Sequence, residues 1–422
     1  MGAPADPRTM TTALLTPPAA VASRPRHRLA HAAGFWTTAV AFTVVMAYAT
    51  VPTPLYALYQ QRDGFPTWVL TVVFAAYAVG VVASLFLVGH LSDQVGRRRL
   101  SLLAIGVEVV SAALFLLFPE VPGLIVARLV SGVGVGMLTA TATAHLGELH
   151  AAARPEGSPQ RAAAVSGVAN IGGLALGPLA GGLAAELLPA PLVVPHAVFL
   201  VLLLLALGAV ALVPETVRAP ALRRPYRPQR VAIPAASRGA FAAAAAAAFA
   251  GFAVFGLFTS LAPTFLATTL GQTGRLLSGS VSFAVFAAAA VSPLVAARLD
   301  GRRQVAVSLV LLPAGLVLLA AGGILASLAL FVAGGVLAAA GVGLSFRNAL
   351  ATAGALVEPA RRGEVLAAVF LVAYAGMAVP ALVAGVALAR VAPVAVLTAF
   401  AAVVLALGVA AGAGLLRATR RG

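Results

Sequence analysis

Two long apolar stretches of the chain are separated by Gly89-His90-Leu91-Ser92-Asp93-Gln94-Val95-Gly96-Arg97-Arg98-Arg99. The stretch before this segment, 68–88, contains no charged residue, and the stretch after it, 100–118, contains only Glu108. A glycine near each end allows a tight turn at low steric cost, and the single acid stands among arginines with which it can make charge-assisted contacts. The pattern predicts a short polar loop between two membrane-spanning helices.

The composition predicts an all-α membrane protein. Of the 422 residues, 61% are hydrophobic and 9% are charged, and the mean hydropathy is +1.02. A helix needs about 20 apolar residues to cross the hydrocarbon, and a lipid-exposed backbone must satisfy its own hydrogen bonds. We therefore expect twelve transmembrane helices, at 35–57, 68–90, 100–118, 122–146, 162–186, 191–213, 239–268, 277–297, 305–325, 327–350, 364–389 and 393–416.

The net charge of +16 comes from 28 basic residues, all of them arginine. Most lie in the two tails and in alternate loops, whereas the opposite loops hold only Arg62, Arg275 and Arg390. This asymmetry is the positive-inside pattern of membrane proteins and does not indicate a nucleic-acid-binding surface. It predicts a multi-pass protein of the cytoplasmic (inner) cell membrane with both termini in the cytoplasm. The absence of cysteine excludes disulfides and thiol catalysis.

Charge and proline content divide the chain into four parts. The N-terminal segment is interrupted by prolines and is expected to be disordered, and a basic, proline-rich stretch splits the apolar spans into six and six. The predicted parts are a cytoplasmic tail at 1–33, an N-terminal six-helix bundle at 34–213, a basic cytoplasmic linker at 214–238 and a C-terminal six-helix bundle at 239–418.

The two bundles are expected to be pseudo-symmetric, because landmarks recur at nearly constant spacing. Gly96-Arg97-Arg98 recurs as Gly301-Arg302-Arg303, 205 positions later. Pro178 recurs as Pro380, 202 positions later, and Gly134-Val135-Gly136 recurs as Gly341-Val342-Gly343, 207 positions later. Duplication of a six-helix unit is typical of transporters that work by alternating access, in which one half rocks against the other.

Three segments carry a family resemblance. The loop 2–3 motif of the major facilitator superfamily resembles Gly89-x-x-x-Asp93-x-x-Gly96-Arg97-Arg98-Arg99, and its arginine-led fourth-helix motif resembles Arg128-Leu129-Val130-Ser131-Gly132-Val133-Gly134-Val135-Gly136. The motif of its drug/proton antiporter branch is similar to Gly173-x-x-x-Gly177-Pro178-x-x-Gly181-Gly182. The resemblance covers roughly residues 34–417 and implies a secondary transporter.

The favoured function is proton-coupled efflux of small amphipathic compounds, and two departures from the family pattern leave alternatives open. The second copy of the loop motif has Arg298 where the first has Asp93, and the first span contains no acid, whereas several proton-coupled exporters of the family carry one there. An uptake permease, symporter or uniporter, for a sugar or other metabolite is one alternative. A non-transporting receptor or scaffold on a transporter fold is another.

The candidate conformational latch consists of Gly89, Asp93, Gly96, Arg97 and Arg98. An acid three residues before Gly-Arg-Arg is not needed to anchor a helix end, so it is expected to hold one conformational state. The resemblance implies a partner near Glu364, at the start of the eleventh span. In the alternative interpretation the arginines only anchor helix ends at anionic headgroups.

Glu108 and Arg128 are the candidates for proton coupling. Glu108 lies about 12 Å into the third helix from its cytoplasmic end, and Arg128 enters the fourth helix from the outer side, so its side chain can approach a similar depth. An acid in hydrocarbon is costly unless it is paired or protonated. We expect a charge pair that forms and breaks with protonation, or alternatively a static pair that fixes helix packing.

Two further sets of residues are singled out, with ordinary helix packing as the alternative. For Arg347 the alternative is instead a side chain near the cytoplasmic end that snorkels to water. Small residues and a proline can make the fifth helix a pivot or seal between the halves, and this set is Gly173, Gly177, Pro178, Gly181 and Gly182. Aromatic, sulfur-containing and polar side chains inside spans can line a substrate cavity, and this set is Met46, Tyr48, Tyr77, Asn170, Phe255, Phe258, Arg347, Asn348 and Tyr374.

No metal site, cofactor or enzymatic centre is predicted. The histidines have no second ligand at a metal-binding spacing, and a chain without lysine has no P-loop, which disfavours ATP-driven transport. The energy source is expected to be a proton or other ion gradient. The expected partners are a small-molecule substrate and the lipid bilayer, with no nucleic acid, and the chain is expected to be a monomer.

Overall fold

A computed structural model describes residues 28–88, 95–217, 235–358 and 361–418, and within these ranges the protein is helical with no β-strand. Twelve helices are long and apolar enough to cross a membrane, which confirms the predicted all-α, twelve-helix class. They are α1 (His31–Thr50), α2 (Thr67–Leu87), α3 (Arg97–Leu117), α4 (Val121–Ala153), α5 (Pro159–Leu187), α6 (Val194–Ala211), α7 (Arg238–Thr268), α8 (Arg275–Arg298), α9 (Gly301–Ile324), α10 (Leu328–Ala355), α11 (Arg362–Ala387) and α12 (Pro393–Ala418).

The first helix ends earlier than the sequence predicts. The apolar pattern predicts a span at 35–57, whereas α1 ends at Thr50 and a turn leads into a short helix, Tyr56–Asp63. Pro52 and Pro54 explain this break, because proline has no N–H to donate and its ring clashes with the preceding helical turn. The break places the short helix across the end of the bundle.

The seventh helix is interrupted at the equivalent position of the internal repeat. A π-helical turn, Leu257–Leu261, begins 206 positions after the turn that follows α1. Within it, the hydroxyls of Thr259 and Ser260 donate to backbone carbonyls of the preceding turn at 2.7 and 2.6 Å. A second π turn, Val168–Gly172, widens α5. Such turns are frequent at functional sites, so both halves have a local irregularity close to their interface.

The two faces of the helix bundle are distinguished by the connections they carry. We call the face with both ends of the described chain the terminal face and the face with the short helix Tyr56–Asp63 the loop face. Trp36 lies near the terminal face and Trp68 near the loop face, and both are about half exposed, as in the aromatic belts of membrane proteins. Many side chains exposed between them are apolar and suit contact with lipid, for example Leu205, Val310 and Val383.

Two of the predicted parts fall largely outside the described residues. The predicted tail, 1–33, is described only from residue 28, and α1 begins within it at His31. The predicted linker, 214–238, is described at 214–217 and again from 235. The division of the chain into four parts therefore stays a prediction.

Candidate functional site

The two halves of the protein meet backbone to backbone where α5 crosses α8. A Cβ atom added to Gly182 would lie 2.7 Å from the carbonyl oxygen of Arg275 and 3.2 Å from the Cα atom of Gly279. A Cβ atom added to Gly279 would lie 2.3 Å from the carbonyl oxygen of Pro178. At these distances between the two backbones, only glycine fits at positions 182 and 279. Gly182 and Pro178 of the predicted pivot therefore contact α8 and lie at the interface between the halves.

The other three residues of the predicted pivot pack inside the N-terminal half. Cβ atoms added to Gly173, Gly177 and Gly181 would lie 2.6, 2.1 and 2.3 Å from the nearest atoms of α1 or of the turn that follows it. One of those atoms is the Cβ of Met46, a cavity candidate that is fully buried here. The motif therefore fastens α5 to α1 on one side and to α8 on the other, and its role as a pivot stays a prediction.

An acid at the end of α5 closes the same interface at the loop face. The carboxylate of Glu186 accepts a hydrogen bond from the backbone N–H of Arg275 at 3.0 Å, at the first residue of α8. The first N–H groups of a helix have no partner within the helix, and a negative charge is favourable there. Glu186 thus caps a helix of the opposite half. This contact is not predicted from the sequence, where its only signal is an acid at the end of one span and an arginine at the start of another.

A second contact between the halves joins α2 to α11. A Cβ atom added to Gly385 would lie 2.5 Å from the Cγ2 atom of Thr71, near the loop face. Deeper in the bundle, the rings of Tyr77 and Tyr374 meet edge to face with centroids 6.3 Å apart. The halves are therefore in contact from the middle of the bundle to the loop face.

The guanidinium group of Arg128 is buried beside this junction. Its Nη1 atom donates to the carbonyl oxygen of Ala49 at 2.6 Å, and its Cζ atom lies 4.4 Å from the ring centroid of Tyr77. A cation over an aromatic face is attracted by the ring quadrupole, more strongly where water is excluded. Arg128 therefore connects α4 to α1 and to the aromatic contact between the halves.

Glu108 is fully buried, but it does not form the direct ion pair that the sequence suggested. Its Oε1 atom accepts a hydrogen bond from the hydroxyl of Ser131 at 3.2 Å, whereas Arg128 points towards α1 and α2. Among the described residues, no oxygen of Glu108 lies within 4.0 Å of a nitrogen of Arg128. Ser131 and Arg128 are one turn apart on α4, so Glu108 of α3 binds α4 close to Arg128 without touching it. Their role in proton coupling stays a prediction.

The aromatic cavity candidates separate into two groups. Tyr77, Tyr374 and Phe255 belong to a continuous set of rings at the junction, in which Phe252 lies 5.4 Å from Tyr374 and 5.6 Å from Phe255. Phe258 instead packs against Phe331 within the C-terminal half. Tyr48 points into the N-terminal half and contacts residues of α3 and α6. Only the first group lies between the halves.

The polar cavity candidates lie in different environments. Asn170 is half buried in the π turn of α5. Arg347 is exposed near the terminal face and donates to the carbonyl oxygen of Pro293 at 3.0 Å. The amide of Asn348 donates to the Oε1 atom of Gln304 at 3.0 Å. Arg347 and Asn348 therefore join α10 to α8 and α9, and substrate contact by any of the three stays a prediction.

Part of the predicted latch lies outside the described residues, namely Gly89 and Asp93. Of the described latch residues, Arg97 binds two acids that are not among the predicted latch residues. The backbone N–H of Arg97 donates to Glu215 at 2.8 Å, and the Arg97 side chain forms an ion pair with Glu148 at 3.1 Å. Thr216 also donates its hydroxyl to Glu148. These contacts fasten the start of α3 to the end of α4 and to the segment after α6.

Gly96 is required for the contact with Glu215. Its φ of +109° is a conformation that side chains with a Cβ atom rarely adopt, and an added Cβ atom would lie 2.5 Å from the Oε2 atom of Glu215. The guanidinium group of Arg98 donates to the carbonyl oxygen of Ala211 at 3.3 Å, on the same segment. At the start of α11, Glu364 forms an ion pair with Arg361 at 3.6 Å.

The architecture and the contacts between its halves define a class of protein: a twelve-helix transporter fold made of two six-helix halves. Residues 38–312 match the family model described as Major Facilitator Superfamily, which is more than half of the chain. The chain belongs to this superfamily, whose members are secondary transporters. This match does not assign the chain to a branch of the superfamily, so membership of the drug/proton antiporter branch stays a prediction.

One relative and three solved structures illustrate the similarity. The chain is 32% identical over 154 residues to an uncharacterized MFS-type transporter, Rv1250, of Mycobacterium tuberculosis, a match that spans 35% of this chain and 25% of that protein. The human organic anion transporter MFSD10 (TETRAN) superposes with a TM-score of 0.65 at 17% identity, covering 92% of this chain and 100% of that one.

The other two structures are equally similar in fold. A bacterial homologue of the human lysosomal transporter Spinster, in an inward-facing and unoccupied conformation, has a TM-score of 0.65 at 14% identity, with 94% of this chain and 98% of that chain covered. The nucleoside transporter NupG has a TM-score of 0.65 at 12% identity, with 92% and 99% covered. At these identities the similarity establishes the fold and not the substrate.

We expect Gly182→Val to open the loop face, because its side chain would overlap the backbone of α8. Overpacking of this kind costs about 1–3 kcal/mol, so the closed arrangement should lose about tenfold or more in population. The chain has no cysteine, so Thr71→Cys provides a single reporter thiol at the α2–α11 contact. The measurement is the rate at which N-ethylmaleimide labels this thiol, which should rise about tenfold in the Gly182→Val variant.

Gly106→Val is the matched control, since a Cβ atom added to Gly106 has no neighbour within 4 Å. It should leave the labelling rate unchanged. Equal labelling in all three proteins would mean that the α5–α8 crossing does not hold the halves together.

We expect Glu215→Ala to destabilise the start of α3, because the first N–H groups of the helix would lose their acceptor next to three arginines. Loss of a capping side chain typically costs about 1–2 kcal/mol. Hydrogen exchange of residues 97–100 should become faster by a corresponding factor, while Glu364→Gln, which disrupts a partly exposed pair, should have little effect. Unchanged protection at 97–100 would contradict the capping role.

Proposed function

We propose that the protein exports small amphipathic compounds in exchange for protons by alternating access. Membership of a secondary transporter family supports transport, and the similarity of the α5 motif to the drug/proton antiporter motif supports the direction. The proposal requires no catalytic centre and no cofactor beyond an ion gradient. Its partners are a small-molecule substrate and the lipid bilayer, and a monomer is sufficient because both halves belong to one chain.

The observation that carries the proposal is the aromatic junction between the halves, with its single buried cation. Tyr77 of α2 contacts Tyr374 of α11 on one side and Arg128 on the other, and Phe252 extends the aromatic surface into α7. Substrate sites of this family of folds lie at the interface of the repeats, near the middle of the membrane. Rings and one cation suit a compound with an aromatic body and a polar or negatively charged group.

Glu108 is the proposed site of the exchanged proton. Its Oε2 atom has no hydrogen-bond partner among the described residues, and its side chain is fully buried. A carboxylate in such surroundings is strongly unfavourable without a proton or a cation. Since Glu108 binds Ser131 one turn from Arg128, gain or loss of its proton changes the electrostatic environment of the cation at the aromatic junction.

The arrangement of charges supports an orientation for the proposed cycle. The predicted cytoplasmic loops are those of the terminal face, because most arginines lie there. With that orientation, contact of the halves at the loop face closes access to the aromatic junction from outside. The similar structures include transporters described for organic anions and for nucleosides, so the fold alone does not select a substrate.

A pH assay in liposomes tests this function. The protein is reconstituted with pyranine in the lumen, and one of three aromatic probes is added outside: anionic fluorescein, neutral chloramphenicol or cationic ethidium. Exchange of probe for protons should raise the lumenal pH, with the anionic or neutral probe more effective than ethidium because of Arg128. Glu108→Gln should abolish the pH change, because an amide cannot release a proton.

The control is Glu358→Gln, which removes an exposed acid at the terminal face and should leave the pH change intact. Lumenal acidification on addition of a probe would indicate symport and contradict exchange. A pH change that survives Glu108→Gln would assign the proton to another group.

A further inference from the structure

The residue of α6 that Tyr48 contacts is a fully buried histidine, His196. The Tyr48 hydroxyl lies 3.3 Å from its Nδ1 atom, and the Tyr59 hydroxyl lies 3.2 Å from its Nε2 atom. The imidazole stacks on the ring of Phe115, with centroids 4.5 Å apart and planes 9° from parallel. Four elements therefore hold one imidazole in a fixed orientation: α1, the short helix Tyr56–Asp63, α3 and α6.

Both ring nitrogens bind hydroxyl groups, which is the arrangement that proton transfer needs. A neutral imidazole has one N–H donor and one acceptor nitrogen, and a tyrosine hydroxyl can donate and accept at once. When the Tyr59 hydroxyl donates to Nε2, the Nδ1–H group can donate to the Tyr48 oxygen. A proton gained at Nε2 and a proton released from Nδ1 leave the ring neutral and in the other tautomer. Passage of a proton in the reverse direction restores the first tautomer, so the ring need not turn over.

The outer end of this arrangement lies beneath a depression of the loop face with a volume of about 450 Å³. Its lining includes Leu58 and Val193, the chain neighbours of Tyr59 and of the first residue of α6. Arg62 also lines it and is bound by Asp63 at 2.6 Å. Burial raises the pKa of Tyr59, so its hydroxyl keeps its proton at neutral pH and remains a donor towards His196.

The inner end lies beside the proposed proton site. The Tyr48 ring meets the ring of Phe115 on α3 edge to face, with centroids 6.4 Å apart, and Glu108 lies two turns earlier on the same helix. Ser111 lies between Glu108 and Phe115 and donates its hydroxyl to the carbonyl oxygen of Ala127 at 2.9 Å. Glu108 and Arg128 are the charged groups around Tyr48, and Arg128 also acts on His196.

We propose that Tyr59, His196 and Tyr48 form a proton relay between the loop face and Glu108. The inference rests on the proposed role of Glu108, and it adds the path by which the carboxylate exchanges its proton with the medium. Tyr59 passes a proton to His196, His196 releases one to Tyr48, and Tyr48 releases one on the side of α3, the helix that carries Glu108. The path runs inside the N-terminal half and is separate from the aromatic junction where the substrate is proposed to bind.

The test measures protonation of Glu108 directly and does not require a known substrate. The protein is reconstituted in lipid membranes, the pH of the medium is changed rapidly, and the carboxyl C=O stretch is followed by infrared spectroscopy. The band of Glu108 is the one that disappears in Glu108→Gln. In Tyr59→Phe and His196→Gln this band should respond at least about tenfold more slowly than in the unmodified protein, because a positioned proton-transfer group typically accelerates transfer by 10² or more.

Tyr56→Phe is the matched control, since it removes another buried hydroxyl of the same short helix and should not slow the response. Thermal unfolding of each variant separates loss of structure from loss of transfer, and Tyr59→Phe retains the ring that packs in the core. A response of Tyr59→Phe as fast as that of the unmodified protein would overturn the relay, and so would a Glu108 band that does not respond to pH. The pyranine assay with the three probes tests export independently, so failure of the relay and failure of the proposed function give different results.

Discussion

The whole arrangement of the molecule depends on the close approach of two backbones, those of α5 and α8. In a membrane, lipid tails are as apolar as leucine, so the hydrophobic effect does little to bring helices together. Their association depends instead on close van der Waals packing. The absence of side chains at Gly182 and Gly279 provides that distance between the halves. The contacts of Glu186 with α8 and of Thr71 with Gly385 can form only because the backbones are already close.

The two halves share a fold but differ in their buried chemistry. The N-terminal half contains Glu108, Arg128 and His196, each fully or almost fully buried within the helices. The described residues of the C-terminal half contain aromatic rings and an amide pair, Gln304 with Asn348, in the corresponding interior. A duplicated unit has therefore kept titratable groups on one side of the molecule and neutral surfaces on the other. This division is what a protein needs if one half handles protons and both halves shape the substrate site.

The sequence predicts much of the fold because lipid imposes a simple rule on helix length and composition. The number of helices, their approximate positions and the internal repeat follow from apolar runs and from the spacing of glycine and proline. The end of α1 at Thr50 was missed, because hydropathy does not register the breaking effect of Pro52 and Pro54.

The candidate site was only partly predictable, because side-chain partners depend on helix rotation. The motifs identified Arg97 and Gly182, but not Glu215 or Glu186. Each of these acids lies far in the sequence from the helix start that it caps, 118 and 89 residues away, and belongs to no periodic pattern. Glu108 and Arg128 do not touch in this structure, because Glu108 binds Ser131 whereas Arg128, one turn from Ser131 on α4, binds the backbone of α1. A pair that forms and breaks with protonation stays a prediction. His196 gave no signal, because its partners come from three separate segments.

Three arginines lie at the start of α3, which is also the positive end of the helix dipole, so like charges meet there. The carboxylate of Glu215 offsets this positive charge. Glu215 belongs to the segment that follows α6. The contact that offsets the charge at α3 therefore also holds the start of the connection between the halves in place. Thr216, the next residue, is also fastened to α4 through Glu148. Neutralising Glu215 would therefore both weaken the start of a helix and loosen the hold of the N-terminal half on the residues that follow α6.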